Sequence, residues 1–322
     1  MTRRVSMADV AAVAGVSAQT VSRVVNDSPR VDPATRANVE AAMSQLGYRM
    51  HRAARALRTG RTDTIGLIVA NLSSVGNSRM LQALADHAAE RGFALTVVTA
   101  SGREAVADAF ARLSDQGIDG AVILNEATAL ARGLDVPPGL ALVVVDSPAD
   151  DRFAVVQTDH AAGAREATGH LLGLGRGPVH HLAGPVGSFA AAERERGWRE
   201  AHEAAGVAAP ELLRGDWTSA SGHDAIAPVA GEITALFAAN DQMALGALRA
   251  LAEAGRRVPD DVAVIGFDDV EDAASYFPPL TTVRQDFDEL GGAAVASLVT
   301  LIGRGEATPV VLTPHLVQRA SA

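Results

Sequence analysis

From residue 64 onward the chain alternates short apolar runs with longer helical ones, and this rhythm limits its fold more than any other feature. The apolar runs are 64–70, 94–99, 120–124, 141–145, 154–157, 179–182, 235–239, 262–267 and 281–284. Helical patterns fill 77–91, 104–116, 161–174, 193–205, 242–254 and 290–302, and Pro228 is predicted to shorten a further helix after Ser221. Strands this continuously apolar are buried on both faces, which predicts parallel sheets covered by helices on each side. Nine strands exceed one comfortable sheet, so the pattern predicts two Rossmann-like lobes.

The polar residues fall at the strand ends. Asn71, Asn125, Asp146, Asn240 and Asp268 each sit at or just past the carboxyl end of an apolar run. Open α/β sheets bind ligands at that edge. Any one of these residues is readily explained as a turn or cap. The same placement on strands from both halves points to a cleft, and carboxylates and amides facing it would suit a ligand rich in hydroxyl groups. Arg194, Trp217 and Gln285 come from other segments that could join it.

Residues 6–26, SMADVAAVAGVSAQTVSRVVN, have a different texture. They read as two short helices around a tight turn. Ser6 caps the first, with Asp9 completing a capping box. Val10 and Val13 are expected to face a core, and Gly15 supplies the turn. Ser17 caps the second helix, Val21, Val24 and Val25 bury its inner side, and Ala18, Gln19, Ser22, Arg23 and Asn26 remain outside. A helix presenting Gln, Ser, Arg and Asn from its first turns suits a DNA major groove. The bland alternative is a helical hairpin with a solvated face. Two neighbouring features weigh against it. A third helix follows, with Asp32 as cap, Pro33 at its first position and Gly47 as its stop. Charge is also local: residues 1–62 hold ten arginines against four acids, a net +6, while the whole chain is −10 and the remainder therefore −16. The basic head alone would need to meet phosphate. The segment 50–62, MHRAARALRTGRT, sets Ala53, Ala54 and Leu57 on one side of a short helix among Arg52, Arg55 and Arg58. It reads either as a solvated linker or as a segment that folds only with DNA and a second copy present.

Enzymatic readings find little support. There is no cysteine, hence no thiolate metal site or cysteine nucleophile, and no lysine, hence no phosphate-loop lysine. The glycines at 173, 175 and 177 end a helix instead of following a strand. His160, His170, His180 and His181 lack metal-ligand spacing, and Ser188 and Ser221 lack the flanking glycines of a nucleophile elbow. No cofactor or metal is expected. The absence of an apolar leader or membrane-length run points to a cytoplasmic protein.

The stretches DVAAVAGVSAQTVSRVVN (9–26), TRANVEAAM (35–43), ANDQMALGA (239–247), VIGFDD (264–269) and FPPLTTVRQDF (277–287) resemble the lactose-repressor/galactose-repressor family of bacterial transcriptional regulators. The likeness runs along essentially the whole chain. It implies an N-terminal three-helix helix-turn-helix DNA-binding head (1–49) and a hinge helix or linker (50–62), followed by an α/β periplasmic-binding-protein-like core of two Rossmann-like lobes. The N-terminal, dimerising lobe would take 63–158 and 288–316. The C-terminal lobe would take 159–287 and 317–322. Crossings between lobes would fall near Thr158, Asp286 and Leu316, with the effector in the cleft between lobes.

By the same resemblance, DNA contacts fall to Ser17, Ala18, Gln19, Thr20, Ser22, Arg23 and Asn26 in the head. In the hinge they fall to Arg52, Ala54, Leu57 and Arg58, with Leu57 wedged into the minor groove. Effector contacts fall to Ser74, Asn77, Asp146, Arg194, Trp217, Asn240, Asp268, Gln285 and Phe287. Ala18 replaces a base-reading tyrosine of the lactose-repressor branch. Ser74, Gly76, Asn77 and Thr158 replace apolar or aromatic pocket residues, which implies a more polar or roomier wall. The chain stops at Ala322 without a leucine-heptad tail, so a homodimer is expected. The implied function is a sequence-specific transcriptional repressor, dimeric on palindromic double-stranded operator DNA and released allosterically by a galactoside-like or other sugar. Alternatives are a regulator using a small-molecule corepressor, or a sugar-binding transport protein.

Overall fold

The computed structural model describes residues 5–25, 28–48, 60–148, 150 and 152–322. The chain divides into two compact units, Met1–Thr62 and Asp63–Ala322.

In the first unit, α1 (Met7–Ala14), α2 (Ala18–Val25) and α3 (Pro33–Leu46) enclose a small core. Ser6 and Asp9 form the reciprocal capping box at the start of α1, and Gly15 ends that helix at φ 66°. Asp32 caps α3, Pro33 opens it and Gly47 closes it. Val10, Ala11, Ala14, Val21, Val24, Val39 and Ala42 form the core. Val13, expected inside, is 47% exposed. At about 100° per residue, Val10, Ala11 and Ala14 define the buried stripe of α1, and Val13 falls off its edge. Val25 is only partly buried.

The second unit holds two six-stranded sheets among the described residues. The first contains β1 (Thr64–Val69), β2 (Ala94–Thr99), β3 (Gly120–Leu124), β4 (Ala141–Val145), β5 (Ala154–Thr158) and β11 (Val310–Leu312), in the order β11-β5-β4-β3-β1-β2. All its pairings are parallel. Helices α4 (Val75–Glu90) and α11 (Phe287–Ile302) supply one face and α5 (Arg103–Asp115) the other; α6 (Glu126–Ala131) follows β3. Successive strand residues explain the unbroken apolar runs. Val122 and Leu124 join one core cluster while Ala121 and Ile123 join the other.

The second sheet repeats this plan. It contains β6 (His180–Ala183), β7 (Leu213–Arg214), β8 (Ala235–Ala238), β9 (Ala263–Asp268), β10 (Thr281–Arg284) and β12 (His315–Val317), in the order β12-β10-β9-β8-β6-β7. Helices α7 (His160–Gly173) and α8 (Phe189–Ala205) cover one face, and α9 (Ser219–Ile226) and α10 (Asp241–Glu253) the other. A short 3-10 turn at Ala227–Val229, with Pro228 inside it, replaces any continuation of α9.

Three crossings join the sheets. The first lies between β5 and α7, where Asp159 caps α7. The second lies between β10 and α11, where Asp286 caps α11. Phe287, the first residue of that helix, already packs into the core of the first sheet. The third lies between β11 and β12, a few residues before the expected Leu316. Leu312 pairs with Thr158 in one sheet, while Leu316 pairs antiparallel with Val283 in the other. Pro314, which has no N–H to give either ladder, occupies the passage between them.

Candidate functional site

The topology brings the strand-end residues together. In each sheet the strand order reverses beside its first strand, and the carboxyl edge there is where a doubly wound sheet binds ligands. Asn125 and Asp146 follow β3 and β4, Asn240 follows β8, Asp268 ends β9 and Gln285 follows β10. A cavity lies where the two edges face each other. Ser74, Asn77, Asp146, Arg194, Trp217, Asn240, Asp268, Gln285 and Phe287 all line it. So do Gly76, Met80, Asn125, Glu126, Ser188 and Ala190.

The cavity's deepest members form a closed polar ring spanning the crossings. Asp146 Oδ1 accepts from the Thr158 backbone N–H at 3.2 Å. The Thr158 hydroxyl donates to Gln285 Oε1 at 3.1 Å, and Gln285 Nε2 donates to Asp268 Oδ1 at 2.6 Å. Arg194 Nη2 reaches the same Asp268 oxygen at 3.4 Å and His160 Nδ1 at 3.3 Å. His160 Nε2 completes the circuit, 3.0 Å from Asp146 Oδ1, within reach of the charge but poorly aligned as a hydrogen bond. Since Arg194 can only donate, His160 Nδ1 is the acceptor in this contact. Arg194 also donates to the Ala239 carbonyl and lies 3.8 Å over the Phe267 ring.

Burial sets the electrostatics. It raises the Asp268 carboxyl above the usual carboxylate range, with Arg194 and Gln285 pulling the other way. It lowers the Arg194 guanidinium from its ordinary value, opposed by Asp268 and Asp146. Behind them, burial pushes the Asp241 carboxyl well up, with the neighbouring Asp268 charge adding to the effect. Asp241 accepts from Thr282 Oγ1 at 2.6 Å and from the Val270 N–H at 2.9 Å, which anchors the loop carrying Asp268.

The backbone here is unusual. Asn125, Asp146, Trp217 and Asp268 have φ of 49°, 52°, 76° and 111°. Asn and Asp tolerate positive φ, whereas a bulky residue such as Trp217 does so at a cost of roughly 1–3 kcal/mol. Asn240 Nδ2 holds the Trp217 carbonyl at 3.1 Å. Gly184 leaves room for the indole: a Cβ there would lie 2.3 Å from the Trp217 ring. Trp217 Nε1 stands 3.4 Å from Glu126 Oε1 of the other lobe.

Some lining residues also serve as caps. Ser74 caps α4 through the Asn77 N–H, and Asn240 caps α10 through the Met243 N–H. Asn77 accepts from Asn125 Nδ2 at 2.5 Å and donates to the Asn71 carbonyl. Asn71, one of the strand-end residues, is exposed beside the inner cavity. Sequence reasoning weighed His160 only as a metal ligand and Ser188 only as a nucleophile. Both are buried at this site, and Ser188 caps α8. Their nearness to crossings and strand ends was the available signal. Among the described residues, no cluster of acids and histidines is placed to hold a metal, and no helix is long and apolar enough to cross a membrane.

In the first unit, Ser17, Ala18, Gln19 and Arg23 are exposed and Thr20 and Ser22 half-buried. The Ser17 hydroxyl accepts from the Thr20 N–H at 3.1 Å, so it starts α2. Asn26, Arg52, Ala54, Leu57 and Arg58 lie outside the described residues.

Comparison with known proteins places this arrangement. Residues 6–50 match the family described as bacterial regulatory proteins, lacI family, and residues 168–322 match the periplasmic binding protein-like domain. The lactose operon repressor of Escherichia coli K12 is 37% identical over 307 residues, covering 92% of this chain and 84% of that one. The chain belongs to the lacI family. Another lacI-family relative, the HTH-type transcriptional regulator CelR of Thermobifida fusca, is 38% identical over an alignment of 343 residues, covering 99% and 98% of the two chains. Among solved lacI-family structures, the lac repressor dimer bound to operator and the anti-inducer ONPF superposes with a TM-score of 0.88 at 35% identity, covering 99% of each chain. The CelR–cellobiose complex superposes with a TM-score of 0.75 at 34% identity, covering 99% of this chain and all of that one.

Proposed function

We propose that this chain is a sequence-specific transcriptional repressor that binds a palindromic operator as a homodimer and is released by a sugar bound between its lobes. The observation that carries the reading is the pairing of a basic helix-turn-helix head with a cleft lined by carboxylates, amides and a guanidinium from both lobes. Relatives matched over most of their length are lactose and ribose operon repressors and CelR, and solved neighbours hold operator DNA, ONPF, ONPG or cellobiose. The protein acts in the cytoplasm, where its operator is, and works by binding, not by catalysis.

Gln19, Ser22 and Arg23 read base edges, while Ser17 and Thr20 meet phosphate at the start of α2. The hinge residues Arg52, Ala54, Leu57 and Arg58 contact the operator's minor groove. In the cleft, Asp268, Arg194 and Gln285 orient sugar hydroxyls, and Trp217 and Phe287 give apolar faces. The sugar favours one arrangement of the lobes and the operator another, so each ligand weakens the other's binding by the same factor.

The test begins with an operator selected from random DNA. Fluorescence anisotropy should show operator binding that neutral sugars weaken in the natural chain. In Ala190→Phe, which narrows the cleft, and in Asp268→Asn, operator binding should persist and the sugar response vanish. A sugar response that survives both substitutions would move the effector site elsewhere.

A further inference from the structure

The backbone is clamped where the second unit begins. Asp63 is the first residue of that unit. Its φ is 49°, in the left-handed region where a residue other than glycine is uncommon. Bonds from two sides hold it there. The Asp63 N–H donates to Asp119 Oδ2 at 2.9 Å, and the Asp63 carbonyl accepts from the Ala94 N–H at 2.9 Å. One residue on, the Thr64 carbonyl accepts from the Asp119 N–H at 3.0 Å. Asp119 thus grips the start of β1 with both its carboxylate and its backbone. It lies 56 positions further along the chain, immediately before β3, and does not line the cleft. Strands β1 and β3 pair in parallel from Ile65 beside Gly120 to Ile68 beside Ile123. Beyond their carboxyl ends, Asn77 and Asn125 belong to the cleft wall and are bonded to each other. The same two strands therefore end in the cleft wall at one edge and in the Asp119 clamp at the other.

We propose that Asp119 is a positioning residue for operator binding: its grip on the Asp63 N–H fixes the exit of the chain from the core, and with it the half-site spacing that a dimer accepts. This rests on the repressor reading above and adds a residue that touches neither ligand. Once one head is bound, the second finds its half-site at an effective concentration set by how stiffly it is tethered. A swivelling exit dilutes it over many directions, whereas a fixed exit favours one spacing, because each inserted base pair turns a half-site by roughly 35°. A carboxylate suits the task, since a charged acceptor makes a stronger hydrogen bond to a backbone N–H than a neutral one. Asparagine keeps an oxygen that can accept in the same place, and alanine removes the acceptor. Paired strands also act as a stiff element, so a displacement of the cleft wall is carried along β1 and β3 to this exit.

Fluorescence anisotropy tests this with the full-length chain on its selected operator and on the same DNA with one or two base pairs inserted between the half-sites. The natural chain should prefer the selected spacing. Asp119→Ala should bind the selected operator about tenfold or more weakly and discriminate less among the three spacings, and Asp119→Asn should retain most of both properties. A variant that is merely less well folded loses active protein equally on all three DNAs, so its spacing preference would be unchanged. Two glycines inserted between Thr62 and Asp63 leave the clamp itself in place and free the chain before it. That variant should reproduce the alanine variant's behaviour, with the circular dichroism of the natural chain. An Asp119→Ala protein with the natural spacing preference, or a glycine insertion that leaves DNA binding unchanged, would overturn the positioning role while leaving the repressor in place. Failure of the natural chain to enrich any operator would overturn the repressor reading and this inference with it.

Discussion

Arg194 both lines the cleft and braces its wall, and its substitution mixes the two. It is fully buried against Asp268, His160, the Ala239 carbonyl and the Phe267 ring. Arg194→Ala strands Asp268 without its cation, and breaking one side of a buried pair costs about 3–5 kcal/mol. The variant should therefore melt well below the natural protein. Asp268→Ala added to it should lose much less than the two single losses together, since the second change removes the stranded charge. Simple additivity in thermal melting would show that the pair is not coupled. His181 gives a separate pH prediction. Its ring stacks on Phe237 with centroids 4.8 Å apart, Nδ1 donates to the Phe237 carbonyl at 3.0 Å, and Nε2 is buried with no partner. A proton on Nε2 would bury an unpaired charge, so burial lowers this imidazole from 6.5 to about 4. The unfolded chain thus binds more protons between those values. The stability this residue contributes is complete above pH 6.5 and is lost, by roughly 3 kcal/mol, as the pH falls to about 4. Melting of His181→Phe should be less steep in acid than that of the natural protein, and parallel curves would count against this account.

Among the elements, α2 makes the most direct prediction. Its inner side is held by Val21 and Val24, and Arg23 projects from the exposed side. Arg23→Ala should cost about 1–3 kcal/mol of discrimination between operator and random DNA, measured by competition binding. An equal loss on both DNAs would assign Arg23 to phosphate. The long elements were legible because their periodicities are strong, yet helix starts were read late. Helices α4, α8 and α11 begin at Val75, Phe189 and Phe287, while the sequence patterns began at 77, 193 and 290. The caps Ser74, Ser188 and Asp286 open turns rich in Gly, Ala or acidic residues, which carry little hydrophobic signal. Strands β7, β11 and β12, of two or three residues, were missed because their pairing is set by distant partners. The cleft was legible in Asp146, Asn240 and Asp268, whose place at strand ends is local information. His160 was not, since its role arises only when the first crossing brings it between Asp146 and Arg194.

At the scale of the whole molecule, charge and ligand chemistry are segregated: the head carries the positive charge and the remainder the negative. A chain beginning at Asp63 should bind the sugar with undiminished affinity and fail to bind operator. The full chain's operator affinity should fall steeply with salt as released counterions set its slope. Tight, salt-insensitive operator binding by the shortened chain would sink the assignment of the head. The crossings also bear on how the protein is made. Strand β11 completes the first sheet against β5, and β12 completes the second against β10, yet both are encoded near the end of the chain. During synthesis, neither lobe can close this edge until residues 310–312 and 315–317, respectively, have left the ribosome. The nascent protein therefore presents an open sheet edge at β5 from residue 158 until residues 310–312 emerge, and one at β10 only between residues 284 and 315, and each is a template for mispairing with another chain. Production of this repressor should accordingly depend on chaperones that shield those edges more than its finished stability suggests.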